Sequence, residues 1–360
     1  MKIILDTFYD LDEDIFEGHL DPKFIGGTWM YLLYQKAQEK GIRVMLGTTY
    51  LKEQEFSAED LILSETFTAN TQRLLQSGAR PFLLYSFESP NVDWKFFMRI
   101  YQHAEHYPHA YLFCGAAPYL PAQTKLHPFY WTNDIKDIEK AKQLPLTKRN
   151  ELLVMIASNK KQNSTVGGNV ILGMVKSVMM KILTKAIPVL RLKDLYAVRM
   201  QVIRDFSSKP WFKLYGKGWN ATGNLNAGEK EAVKRLQPQP VNSKNVIMRR
   251  YTFAICFENC VYKGYITEKI FDCFFAGCIP VYYGAPDIAD QIPPATFIDA
   301  SAFKDMDALG DFLNNMTDDE IDTYRKNILQ FIRSPDIYKF TDQYFSTTVL
   351  SLATGEPPAL

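Results

Sequence analysis

Short apolar runs alternate with stretches of helical period along nearly the whole chain, and this alternation restricts the fold more than any other feature of the sequence. Met1 to Phe8 reads as a first strand. "GGTWMYLLYQKAQEKG" (Gly26 to Gly41) follows as a glycine turn, a helix and a glycine C-cap, and "IRVML" (Ile42 to Leu46) as the next strand. Asp60 to Phe67, Pro81 to Phe87 and His109 to Gly115 continue the series, with a short helix, "TQRLLQSGA", between the first two. Beyond the charged, proline-containing stretch Asp137 to Glu151, a second series opens at Leu152 to Ser158. It runs through a helix around Arg199 to Phe206, the strand Phe212 to Gly216, a helix near Glu229 to Leu236 and the strand Thr252 to Asn259, and Asp305 to Phe340 is helical in pattern. Two such series predict two parallel sheets with helices on both faces. The expected domains are 1–147 and 148–335, with 336–360 as a tail or helix packing back.

The stretch "GYITEKIFDCFFAGCIPVYYGAP" (Gly264 to Pro286) closes the second series. Thr267 suits an N-cap, Glu268 falls in the first turn, and Ile270, Phe271, Phe274 and Phe275 repeat at helical spacing. Gly277 ends the helix, and Ile279 to Tyr283 is a buried strand before the Gly284-Ala285-Pro286 turn. Lys269 opposes the helix dipole. It needs either a neighbouring carboxylate or an anion to hold.

With 41 basic and 40 acidic side chains in 360 residues the chain is nearly neutral, which argues against a general nucleic-acid binder. "MKIILDTFYD" reaches Asp6 too early for a signal peptide, so the expectation is a cytoplasmic protein. Five cysteines without a CxxC pair read as buried reduced thiols. His103 and His106 stand at i, i+3, but Pro108 interrupts the helix before His109, and no DxD pair stands where a divalent ion would need one. No essential metal or other cofactor is expected. Within 167–193, Ile171, Leu172, Val175, Val178, Met179, Ile182, Leu183 and Ala186 share one helical face, with Lys176, Lys181 and Lys185 on the other. This segment either packs on the second domain or rests through 169–187 on anionic lipid at the inner membrane face.

Ligands of open α/β sheets gather at the carboxyl ends of strands, where Glu88 and the Asn259 to Lys269 loop both fall. Here the sequence resembles glycosyltransferase family 10, the α-1,3/1,4-fucosyltransferases, in its bacterial type. "CFENCVYKGYITEKIFDCFFAGCIPVYYGAPDIADQIPPATFIDASAF" (Cys256 to Phe303) follows that family's pattern of FEN, TEK, PVY-x-GAP and FID. "YSFESP" (Tyr85 to Pro90) and "IASNK" (Ile156 to Lys160) are similar to its ESP and SN elements. The resemblance implies a GT-B fold, two Rossmann-like domains facing across a cleft. It implies inverting transfer of fucose from GDP-β-L-fucose, without a metal, to a glycan containing galactose or N-acetylglucosamine, such as a lipopolysaccharide O-chain.

By the same resemblance Lys269 and Arg199 contact the diphosphate, Glu268 takes the ribose hydroxyls, Thr267 belongs to the TEK element, and Tyr265 and Asn259 line the donor pocket. Glu88 is then the general base. Arg204 remains the alternative to Arg199, either arginine could instead join a surface ion pair with Asp194 or Asp205, and Glu88 could simply cap the Ser89-Pro90 turn. A transferase of another GDP-sugar, a non-catalytic glycan-binding protein and a sugar-nucleotide epimerase are the competing functions.

Overall fold

The computed structural model describes residues 1–18, 27–159, 182–223 and 225–357. They form two compact units, Met1–Ile135 with Ile337–Leu360, and Lys136–Asp336.

In the first unit six parallel strands, β1 (Lys2–Asp6), β2 (Arg43–Leu46), β3 (Leu61–Glu65), β4 (Arg80–Tyr85), β5 (His109–Leu112) and β6 (Lys125–Pro128), lie in the order β2-β1-β3-β4-β5-β6. Every residue of β3 is buried, as a strand covered on both faces requires. Winding reverses between β1 and β3, and a cavity of about 240 Å³ opens at their carboxyl ends. Asp6 is one of the polar residues buried in that core. Its carboxylate accepts from the hydroxyls of Thr71, Ser64 (3.3 Å) and Thr68 (3.4 Å), which joins β1 to β3 and to the capped start of the helix Ala69–Gln76. Burial raises the pKa of Asp6, against these hydrogen bonds.

The returning segment completes this core. The helix Asp342–Thr354 packs on the helix Gly27–Glu39, and the Phe345 ring lies 5.0 Å from Trp29, 5.3 Å from Tyr111 and 5.4 Å from Phe129. Such edge-on aromatic packing gives the sheet face a fixed cover.

The second unit holds β7 (Glu151–Ile156), β9 (Phe212–Tyr215), β10 (Tyr251–Phe257), β12 (Ile279–Tyr283) and β13 (Ile298–Asp299) in the order β13-β12-β10-β7-β9, all parallel. A short antiparallel ribbon joins β8 (Lys193–Asp194) to β11 (Cys260–Val261). All seven residues of β10 are buried, which explains its unbroken apolar sequence. The helical stretch after Asp305 is two helices, Met306–Asn315 and Asp318–Arg333. Thr317 and Glu320 form a capping box that starts the second afresh.

The division between units falls at Ile135 and Lys136, ahead of the boundary expected near 148. Residues of the expected linker are tied to the second unit. The Lys142 carbonyl accepts from Arg333, Lys148 pairs with Asp318 at 2.6 Å, and Arg149 donates to the carbonyls of Arg249 and Ala276. Residues 160–181, most of the amphipathic segment read from the sequence, lie outside the described residues.

Just past β9 the chain crosses the end of β7. Gly216 has φ +140°, and a Cβ there would overlap the Ala157 carbonyl. Gly216→Ala should therefore cost about 2 kcal/mol or more of stability in urea denaturation. A variant as stable as the parent would mean that this crossing relaxes freely.

Candidate active site

Glu258 follows the last residue of β10 and is wholly buried. Its own N–H donates to the Tyr283 carbonyl at 2.8 Å, fixing it beside the end of β12. One carboxylate oxygen accepts from the Thr267 N–H (2.8 Å) and lies 3.0 Å from the Thr267 hydroxyl. The other accepts from Lys269 Nζ at 2.9 Å and lies 2.8 Å from the same hydroxyl. Lys269 Nζ also donates to Thr267 Oγ1 at 2.7 Å and stands 3.5 Å from Glu268. Gly284 leaves room for this cluster. A Cβ there would lie 2.5 Å from Glu258 Cγ and overlap the Tyr282 hydroxyl.

Burial raises the pKa of Glu258, with Lys269 opposing it. Burial alone would lower that of Lys269, but the Glu258 and Glu268 carboxylates outweigh it and hold the ammonium charged. For Glu268, burial works to raise the carboxyl and is overcome by Lys269 and Lys244, so it stays ionised. The cation that runs against the helix dipole is thus matched by carboxylates, with about a fifth of its side chain still exposed.

Thr267 stands at the N-cap of the helix Glu268–Ala276, yet its hydroxyl makes no capping bond; it donates to Glu258 and accepts from Lys269 Nζ instead. The N-cap position was read correctly from the sequence, but Glu258 was overlooked. The available signal was an acid directly after a seven-residue apolar strand.

Arg199 projects from the helix Tyr196–Phe206 and donates to the Phe257 carbonyl (2.6 Å) and to Asn259 Oδ1 (3.1 Å). Asn259 Nδ2 in turn donates to the Tyr265 hydroxyl at 3.0 Å. The β8–β11 ribbon and the Leu195 N–H, bonded to the Asn259 carbonyl at 3.0 Å, pin the start of that helix to the same loop. Arg204, one turn further on, reaches the buried Glu229 at 3.4 Å. Both arginines line a cavity of about 310 Å³ with Ala157, Asn159, Tyr196 and Trp219, at the carboxyl end of β7.

Six of the residues singled out from the sequence therefore gather in the second unit in two bonded sets, Arg199, Asn259 and Tyr265 in one, and Thr267, Glu268 and Lys269 with Glu258 in the other. Tyr265 and Thr267 are buried within them and act as supports, while the other four keep exposed surface. Glu88 belongs to the first unit, beyond the end of β4, exposed, with its N–H donating to Ser86 Oγ at 3.2 Å. Among the described residues no group of three or more His, Cys, Asp or Glu is placed to hold a metal, and no helix is long and apolar enough to cross a membrane.

Two Rossmann-like units in one chain define the GT-B class of glycosyltransferase folds. The structure superposes on a crystal structure of an α1,3-fucosyltransferase with TM-score 0.52 and 17% identity, covering 98% of this chain and 90% of that one. On HepE of Anabaena in complex with UDP the TM-score is 0.55 at 10% identity, covering 99% and 100%. Residues 187–332, in the C-terminal part of the chain, match the family model "Glycosyltransferase family 10 (fucosyltransferase) C-term". An α-(1,3)-fucosyltransferase of Helicobacter pylori is 40% identical over 82 residues, 23% of this chain and 17% of that protein. An α-(1,4)-fucosyltransferase of Arabidopsis thaliana is 30% identical over 112 residues, 30% of this chain and 28% of that protein. The alignments thus span less than a third of either relative's length.

Removing Glu258 strands Lys269 in a site with little water. Glu258→Ala should cost about 3 kcal/mol in chemical denaturation, as expected when one partner of a buried ion pair is deleted. A loss below about 1 kcal/mol would show that Lys269 finds solvent without rearrangement.

Proposed function

We propose that this chain is an inverting α-L-fucosyltransferase, moving fucose from GDP-β-L-fucose to a hydroxyl of a glycan containing galactose or N-acetylglucosamine. The observation that carries the reading is that the family-10 domain match encloses both bonded sets, from Arg199 to Lys269. The relatives' names add fucose transfer.

Arg199 and Lys269, with the first amides of the helix Glu268–Ala276, meet the charge that grows on the leaving diphosphate. No metal is needed for that task. Glu268 accepts from the ribose hydroxyls, Asn259 holds Arg199 in line, and Tyr265 and Thr267 hold Asn259 and Lys269 in turn. Glu88 takes the proton of the acceptor hydroxyl. As that oxygen bonds to the anomeric carbon, the bond from this carbon to the phosphate oxygen breaks, and its electron pair leaves with GDP. We place the enzyme in a bacterial cytoplasm with a lipopolysaccharide O-chain as the acceptor class.

The test is transfer from GDP-fucose to a panel of galactose- and N-acetylglucosamine-terminated oligosaccharides, followed by mass spectrometry. Glu88→Ala should lose about 10²-fold or more in turnover with GDP affinity nearly kept, the mark of a lost general base. Lys269→Ala should weaken donor binding and turnover together. Full transfer by Glu88→Ala would remove it as the base. Conversion of the sugar nucleotide without an acceptor would replace transfer by epimerisation.

A further inference from the structure

Glu65, the last residue of β3, is a buried acid to which the proposed reaction gives no role; only 6% of it is exposed. Its neighbour in register is Tyr85, the last residue of β4, three positions before Glu88. Among the described residues Glu65 Oε2 and the Tyr85 hydroxyl are both buried without a hydrogen-bond partner. So is Nε1 of Trp29, whose ring packs edge-on against Tyr85 at 5.5 Å. Native interiors rarely leave such atoms unanswered.

The backbone at this point is unusual as well. Thr66 holds φ +63°, a left-handed conformation that a β-branched residue seldom adopts, and its N–H donates to the Tyr85 carbonyl at 2.9 Å. The strand end is therefore turned sharply and locked to β4 just where Glu65 and Tyr85 meet. Strain held in this way gathers at functional sites.

The groups that bear on Glu65 come from every neighbouring element. Glu88 lies beyond β4, Asp6 ends β1, and Asp93 caps the helix Trp94–Met98, while the Phe8 amide supports the carboxylate from the loop after β1. The Tyr9 hydroxyl in that loop feels both Glu65 and Glu88, after its own burial, and Tyr85 feels Glu65. Among the described residues none of the groups acting most strongly on Glu65 is a cation. A buried carboxylate ringed by carboxylates keeps its proton longer than an exposed one.

We propose that Glu65 is a positioning residue for Glu88, its buried charge driving Glu88 to accept the proton of the acceptor hydroxyl. Burial first, then Glu88, Asp6 and Asp93, push the pKa of Glu65 up to about 7, against the Phe8 amide. Below that pH Glu65 is neutral; above it, a second negative charge acts on Glu88 from the adjoining strand end. Like charges make each carboxylate a readier proton acceptor, and the effect is reciprocal. The proton of the acceptor hydroxyl goes to Glu88 alone. Glu65 exchanges its own proton with solvent and gains none in a turnover.

The consequence for rate rests on the fucosyltransfer reading, whereas the coupling of the two carboxyls does not. Carbon-13 NMR of the glutamate-labelled chain, assigned with Glu65→Asp, reads the coupling directly. The Glu65 midpoint should lie near 7 and fall in Glu88→Gln. An unmoved midpoint in Glu88→Gln overturns the proposal, whether or not Glu65→Gln folds well enough to assay. In transfer assays between about pH 5.5 and 8.5, the rate should rise through that midpoint in the parent, flatten in Glu65→Gln with GDP affinity kept, and recover its slope in Glu65→Asp. Survival of the rise in Glu65→Gln also counts against it. A moved midpoint in a protein that transfers no fucose keeps the coupling and rejects the reaction.

Discussion

The buried carboxylate of Glu258 is the constraint on which the candidate site depends. It has two oxygens and three groups to satisfy, the Thr267 amide, the Thr267 hydroxyl and the Lys269 ammonium, and it serves all three from a position with no access to water. Taking a carboxylate out of water is unfavourable by several kcal/mol unless its partners are well placed, so this arrangement persists only with its neighbours in register. The end of β10 is thereby joined to the start of the helix Glu268–Ala276, and the Tyr283 carbonyl joins both to β12. Lys269 is consequently a fixed donor at a helix N-terminus rather than a loose surface cation. Electrostatic preorganisation requires that quality, since a cation held in place needs no reorganisation when charge develops nearby.

A second tie brings Arg199 to the same strand end. Its guanidinium binds the Phe257 carbonyl and Asn259, and the β8–β11 ribbon anchors the helix that carries it. A segment of more than thirty residues separates β7 from that ribbon, yet the arginine arrives where the glutamate and lysine are. In the first unit the logic is inverted. There the strand ends gather Asp6, Glu65 and Glu88, and among the described residues no cation is one of the strongest influences on Glu65.

Much of this was legible in the sequence. Alternating apolar and helical segments specify parallel α/β units because a strand covered on both faces buries all of its residues and is largely apolar, as β3 and β10 are apart from Ser64, Glu65 and Thr252. The odd lysine after Thr267 marked the site for the same physical reason that the structure answers, a cation against a helix dipole. Thr267 takes the N-cap position read from the sequence, but its hydroxyl turns to a long-range partner, Glu258, that no local rule reveals. The unit boundary was placed late because the charged stretch near 148 resembles a linker in composition, while Lys148, Arg149 and the Lys142 carbonyl have specific partners far along the chain. The burial of Glu65 could not be read locally either, since "DLILSETF" offers an acid that would suit an exposed strand end equally well.

We propose that the loop from Glu258 to Lys269, with Arg199, takes a guanosine diphosphate without a metal. Calorimetric titration of GDP, GDP-fucose, GDP-mannose and UDP into the full chain in EDTA tests it most directly. The account predicts GDP and GDP-fucose binding on the order of micromolar, about −8 kcal/mol, with UDP weaker by roughly 100-fold. Silence from GDP until a divalent ion is added, or equal binding of UDP, would contradict it.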